Sequence, residues 1–180
     1  MKKFLKKDGW KRMVVEGVET KYYINEAGRI QHIDSKKPLK PHKDYNKANN
    51  LRLRVKLDGK MYEVAPLIYS TFNNMNYKEC RRKILFKDGN RENIELNNLW
   101  YSEIDVQHIN TVEEAKTKIE AIIEIYEYIK EGKVDKDIAD ILYKGPYKTK
   151  STLRSMISSI RNERVYKTLL DKLKKGCYKI

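Results

Sequence analysis

The side chains best placed to do chemistry fall in residues 84–100: Ile84-Leu85-Phe86-Lys87-Asp88-Gly89-Asn90, then Asn93, then Asn97-Asn98-Leu99-Trp100. Asp88-Gly89 is a strong turn signal, because glycine accepts positive φ and the aspartate carboxylate can bond the backbone ahead of it. Cleaving a phosphodiester with one metal ion needs a base to take a proton from water and oxygen ligands for a hard cation. Phe86 has no basic nitrogen and Leu85 has no lone pair. A single neutral amide such as Asn98 is a poor Mg²⁺ site.

The order and spacing of Asp88, Gly89, Asn90, Asn93, Asn98, Leu99 and Trp100 resemble the nuclease motif of phage HNH homing endonucleases. In that family an Asp or Asn and a His precede the Asp-Gly-Asn run. The His is the general base, and the preceding residue and the last Asn hold the metal. Phe86 stands in the place of the base and Leu85 in the place of the metal ligand. Upstream, Trp10, then Tyr23-Ile24-Asn25-Glu26-Ala27-Gly28-Arg29-Ile30, then Lys37-Pro38-Leu39-Lys40-Pro41, looks like the small domain preceding the motif in these phage proteins. Residues 51–60 follow as a strand and turn. Val64-Ala65-Pro66-Leu67-Ile68-Tyr69-Ser70-Thr71-Phe72 matches a family segment that carries His-Arg where this chain has Ala65-Pro66. Ser102-Glu103-Ile104-Asp105-Val106-Gln107-His108 resembles the segment after the motif. The resemblance covers roughly residues 10–108 and implies a degenerate HNH (ββα-metal-like) motif, with catalysis lost at two sites.

Charge points the same way. The chain has 180 residues, with Lys+Arg 39, Asp+Glu 25 and net charge +14. Residues 1–90 carry 22 basic and 10 acidic side chains (+12), residues 91–150 carry 9 and 13 (−4), and residues 151–180 carry 8 and 2 (+6). Codon bias would spread lysine evenly. Two basic ends around an acidic middle suit two nucleic-acid surfaces, although the acidic middle equally suits a protein partner. Cys80 and Cys177 lack metal-type spacing, and no pair of His32, His42 and His108 has zinc spacing. No cofactor and no metal are therefore expected. The absence of a secretion signal and of a long apolar run implies a cytoplasmic setting, that of the bacterial host if the phage resemblance holds.

Residues 1–8 read as a basic arm, residues 9–34 and 51–65 as short strands, Lys43–Asn50 as a polar loop, and residues 66–74 as a helix opened by Pro66. Leu51, Leu53, Val55 and Leu57 alternate with Arg52, Arg54 and Lys56, whose row is either a solvated sheet face or a phosphate-tracking one. From Thr111, a capping box with Glu114 opens a helix whose Val112, Ala115, Ile119, Ile122, Tyr126 and Ile129 form an apolar stripe ending near Gly132. A short helix follows over Asp135–Leu142, with Ile138, Ala139, Ile141 and Leu142 inward. After a turn at Lys144-Gly145-Pro146-Tyr147 comes a helix from about Ser151, with Leu153, Met156, Ile157 and Ile160 buried. A last helix runs from Val165 to Leu173.

Residues 135–166 resemble a helix-turn-helix of the kind that trails phage HNH enzymes, with a turn longer than usual. Its outward residues Lys150, Thr152, Arg154, Ser155, Ser158 and Arg161 mix base-reading and phosphate-holding groups.

The expected architecture is α+β: a basic arm (1–8), a β-rich degenerate HNH region (9–108) and an all-helical domain (111–180). The expected function is non-catalytic DNA binding of phage type that regulates transcription or another host DNA transaction. A second reading is a phage protein that binds and inhibits a host protein such as RNA polymerase or a nuclease. A third is a nicking endonuclease with a base relocated to His32, His42 or His108. The motif predicts that supercoiled plasmid incubated with the protein and Mg²⁺ or Mn²⁺ stays supercoiled, since losing a general base costs about two to four orders of magnitude in rate. Nicking that disappears in His108→Ala would overturn this. Activity gained by Leu85→Asp with Phe86→His would show that the scaffold still holds nuclease geometry.

Overall fold

The computed structural model describes residues 9–45, 50–143 and 149–178. The basic arm, residues 46–49 of the expected loop and the turn at 144–147 lie outside the described residues. The chain is α+β, with antiparallel sheets followed by helices. It forms two compact units, residues 1–102 with 106–112 and residues 103–105 with 113–180.

Tight turns set the order of the first unit. Strands β1 (Trp10–Val15), β2 (Val18–Asn25), β3 (Ile30–His32) and β4 (Pro38–Leu39) form an antiparallel sheet in chain order. A second sheet holds β5 (His42–Tyr45), β6 (Leu51–Leu57) and β7 (Lys60–Glu63). Glu16-Gly17 joins β1 to β2 and Asp58-Gly59 joins β6 to β7. Both pairs have positive φ at both positions (55° and 81°; 45° and 85°), the two-residue turn whose twist matches the strands it joins. The Lys43–Asn50 segment, expected as loop, begins as strand β5, because its backbone pairs with β6 from His42↔Arg54 to Tyr45↔Leu51.

Alternation on β6 is only partly as expected. Val55 and Leu57 are buried and Lys56 is exposed, but Leu51 and Leu53 are half-buried. Arg52 and Arg54 do not form an open basic row. Arg52 Nη1 lies 3.1 Å from Glu63 Oε1 on β7, and Arg54 Nη1 lies 2.7 Å from Asp44 Oδ2 on β5. In register Asp44 faces Arg52 and Glu63 faces Arg54, so both ion pairs run diagonally across the sheet.

Helix α1 (Val64–Asn73) starts two residues before the expected Pro66, which occupies its first turn, where a missing N–H leaves no bond unmade. It ends at Asn74 in the left-handed conformation. Val64, Leu67 and Ile68 join Met13, Ile24 and Ile30 in the core, each worth about 1.5–3 kcal/mol when fully buried. The short helix α2 (Tyr77–Cys80) has too few residues for a readable period. Asn76 caps it by accepting from Lys78 N at 2.8 Å, and the Tyr77 hydroxyl accepts from Glu63 N at 3.0 Å. Burial, aided by the charge of Glu79, pushes the Cys80 thiol up to about 11. Strands β8 (Ile84–Phe86) and β9 (Leu99–Tyr101) pair as a hairpin, and the next helix begins at Val112.

The second unit holds helices α3 (Val112–Lys130), α4 (Asp135–Leu142), α5 (Lys150–Arg161) and α6 (Lys167–Lys174). On α3 the fully buried stripe passes through Ile122 and Ile125, while Tyr126 and Ile129 are half-buried. Ile138 and Ala139 of α4 are fully buried, as are Leu153 and Ile157 of α5, and the small Ala139 lets α5 come close. Ile141 points outward instead of inward, at 44% exposure, and Met156 is only half-buried. The covered face of this short helix is the side shared by Ile138, Ala139 and half-buried Leu142, and Ile141, although three residues after Ile138, is turned away from Ala139. No described helix is long and apolar enough to cross a membrane.

One glycine carries an unusual load. The turn between β2 and β3 closes through Gly28 N→Asn25 O at 2.9 Å and Arg29 N→Asn25 Oδ1 at 2.8 Å, with Gly28 at φ 75°. The neighbouring Glu26 carbonyl accepts from Leu96 N at 2.8 Å, tying this turn to the segment before β9. A Cβ on Gly28 would lie 2.5 Å from Ile94 Cδ1 and 3.0 Å from Ile68 Cδ1. Gly28→Ala is expected to destabilise the protein by about 1–3 kcal/mol through left-handed strain and crowding. Urea unfolding measures this. An unchanged midpoint would show that the turn relaxes freely.

Candidate functional site

The hairpin β8–β9 sets Ile84 opposite Tyr101, Leu85 opposite Trp100 and Phe86 opposite Leu99. Between the strands, the polar residues of the motif bond one another. Asn98 Nδ2 donates to Asp88 Oδ1 at 2.9 Å and to Asn93 O at 2.7 Å, and Asn98 Oδ1 accepts from Asp88 N at 3.1 Å. Asn93 Nδ2 donates to Asp88 Oδ2 at 2.7 Å, and Asn90 N donates to Asp88 Oδ1 at 2.8 Å. Asn90 Oδ1 accepts from Glu92 N at 3.0 Å. Gly89, at φ 73°, donates its N–H to Phe86 O, closing the turn that Asp88-Gly89 signals. The Asn93 amide, followed by the Asn90 backbone N–H and the Asn98 amide, holds the Asp88 carboxyl below the ordinary aspartate value against the opposing effect of desolvation.

These bonds make the motif a latch. They also test it as a metal site. Asn98 is buried, with its amide donating to the loop and its oxygen already accepting. Leu85, on the strand that leads into the loop, is 2% exposed and purely apolar. Among the described residues no three of His, Cys, Asp and Glu come together as metal ligands. The residues present do not fit a divalent cation.

What the hairpin does build is a cavity of about 140 Å³. Ala65 and Pro66 from α1 and Leu85 and Phe86 from β8, the apolar pairs singled out in the sequence, line this one space. Four guanidinium groups share it, from Arg52, Arg81, Arg82 and Arg91. Glu63 is the carboxylate of the lining and serves two of them directly. Its Oε1 lies 3.1 Å from Arg52 Nη1 and 3.7 Å from Arg81 Nε. The Arg91 guanidinium carbon sits 6.0 Å from the Phe86 ring centroid, within cation–π range. Burial first, then the positive charge of Arg52, pulls the Arg91 pKa down. Positive charge is thus crowded against an apolar floor.

No histidine lines the cavity. His32 Nδ1 accepts from Asp34 N at 3.2 Å, and its ring packs edge-on against Tyr22. Of the candidate residues on β6, Arg52 reaches the cavity, whereas Arg54 is held by Asp44 and Lys56 is exposed elsewhere on the strand. Arg81, Arg82 and Arg91 escaped sequence reasoning, which counted them only as net charge. The signal was there in the Arg81-Arg82-Lys83 run entering β8 and in Arg91 inside the motif.

In the second unit the six candidate residues of α5 divide. Arg161 donates Nε to Asp135 Oδ1 at 2.7 Å and Nη2 to Lys133 O at 2.6 Å, so it anchors the start of α4 instead of facing solvent freely. Lys150 donates to Asp140 at 2.8 Å, and that bond is the main cause holding the Asp140 carboxyl below its ordinary value. Thr149 caps the helix by accepting from Thr152 N at 3.1 Å, with the two hydroxyls 2.9 Å apart. Ser158 Oγ lies 3.4 Å from Asn162 Nδ2. Arg154 and Ser155 are exposed.

No family model matches the chain, and no curated protein matches it. A solved structure described as "DNA binding and cleavage by the HNH homing endonuclease I-HmuI" is similar over 69% of this chain, at 21% identity and a TM-score of 0.36. The match covers 60% of that chain, so the present chain spans less than two thirds of its length.

The latch carries a pH signature. Because the folded Asp88 pKa is lowered, its contribution to stability is present above the ordinary aspartate value of 3.8 and is lost as pH falls through the lower folded value. Asp88→Asn leaves the Asn93 amide without its carboxylate acceptor. The expected outcome is a variant less stable than the parent at pH 7, with a gap that narrows as unfolding is repeated down to pH 3. A gap constant with pH would overturn the assignment.

Proposed function

We propose that this chain is a DNA-binding protein on a scaffold of HNH homing-endonuclease type, one that holds DNA without cutting it and so regulates a DNA transaction. The observation that carries this reading is the cavity beside the motif. Where hydrolysis would call for a base and metal ligands, four arginines surround apolar side chains, and the motif's own polar groups are spent on one another. Guanidinium groups match phosphate geometry and stay charged in half-buried surroundings, which suits gripping a backbone. Helix α5 would add a second contact through exposed Arg154 and Ser155, as a helix lying in a groove does. The net charge of +14 favours association with any nucleic acid at low salt.

The test is fluorescence polarisation with a labelled duplex. Affinity is expected to fall about 100-fold between roughly 50 and 200 mM salt, as for about four neutralised phosphates. Arg154→Ala should weaken binding while leaving the unfolding midpoint unchanged. Arg161→Ala should instead lower stability by about 1 kcal/mol, since it removes a partly exposed ion pair and a bond to a backbone carbonyl. Absence of binding at the lower salt would overturn the reading.

A further inference from the structure

We propose that the arginine-lined cavity receives one unpaired nucleotide of a DNA strand, the base against Phe86 and the apolar floor and the phosphate among Arg52, Arg81 and Arg91. The inference rests on the DNA-binding reading above and deepens it by naming what the recess takes.

Neither half of the lining accounts for the other. A surface that only tracks a duplex backbone needs guanidinium groups in solvent, where their charge costs nothing to hydrate. Here Arg91 is drawn into a half-buried position beside Arg52, with Phe86 next to it, so desolvation and like-charge repulsion both work against it. Glu63, the carboxylate of the lining, offsets part of this at Arg91 but also bonds Arg52 and neighbours Arg81, so one carboxylate is shared among three guanidinium groups and an arriving anion would relieve the crowding. Among the described residues no carboxylate lies within ion-pair distance of Arg91. A phosphate would supply the missing charge. A phosphate alone, however, has no use for Leu85, Phe86, Ala65 and Pro66 as neighbours.

A nucleotide uses both halves. Its base offers two π faces, which stack on aromatic rings and guanidinium planes, and its phosphate offers a doubly accepting edge for arginine. The volume of about 140 Å³ is of the size of one planar ring system. A base within a duplex has both faces stacked on its neighbours and must leave that stack to lie against Phe86. That costs less where the base is already unpaired, as in a bulge or a single strand.

The experiment compares a matched duplex with the same duplex carrying a one-base bulge, by polarisation, and titrates deoxyadenosine monophosphate, deoxyadenosine and inorganic phosphate by calorimetry. The bulged duplex should bind about tenfold tighter than the matched one, and the monophosphate about tenfold tighter than either of its parts, as stacking on an aromatic side chain would add. Arg91→Ala and, independently, the conservative Phe86→Leu should erase the bulge preference while matched-duplex binding persists. Either variant alone suffices if the other fails to fold. Equal affinity for bulged and matched duplex, or a monophosphate that binds no tighter than inorganic phosphate, would overturn this inference and leave the DNA-binding reading standing. No binding to either duplex would sink both.

Discussion

The polar loop of the first unit depends on one side-chain amide. Asn98, buried between the two hairpin strands, donates to the Asp88 carboxylate and to the Asn93 carbonyl while its own oxygen takes the Asp88 backbone N–H. A loop from Lys87 to Asn98 has many conformations to lose on folding, and three bonds to a single buried residue offset a part of that entropy. The second carboxylate oxygen of Asp88 then fixes Asn93, and Asn90 turns the backbone toward Glu92. Arg91 lies between Asn90 and Glu92. The latch therefore delivers a guanidinium to a set place beside Phe86, though no bond of the network involves Arg91 itself.

The polar groups of the loop serve architecture, bonded to one another. An amide that must hold a loop cannot also swing to a cation, and a carboxylate with both oxygens engaged has little left to offer. Apolar side chains at Leu85 and Phe86 need no polar partners inside a small unit. They also let the arginines approach an apolar wall. The result is a recess whose electrostatics favour an anion and whose walls favour a ring.

Much of this was legible in the residues. Glycine-bearing turns, the Asp88-Gly89 turn with its carboxylate bonded to the backbone ahead, Pro66 in a helical first turn and the period change after Thr111 are local effects, and local effects are written locally. What was hidden required the partner in space. Arg52 and Arg54 look like a solvent row on β6 until β5 and β7 bring Asp44 and Glu63 diagonally across. Arg161 looks like a reader of bases until the start of α4 folds against it. Ile141 looks inward until an eight-residue helix proves to have only one buried edge. The cavity itself joins residues from positions 50 to 107, a conjunction no window of sequence contains.

The interlock at Gly28 has a consequence for ancestry. Ile94 fills the space a side chain on Gly28 would need, and the Leu96 amide takes the Glu26 carbonyl. The early β-turn and the late polar loop are therefore two halves of one joint, separated by most of the first unit. Genetic exchange that imported the hairpin from a cousin without its turn would bring an isoleucine or a loop length fitted to a different socket. Residues 28 and 94 are thus matched to each other across the length of the unit, and a change at one is felt at the other.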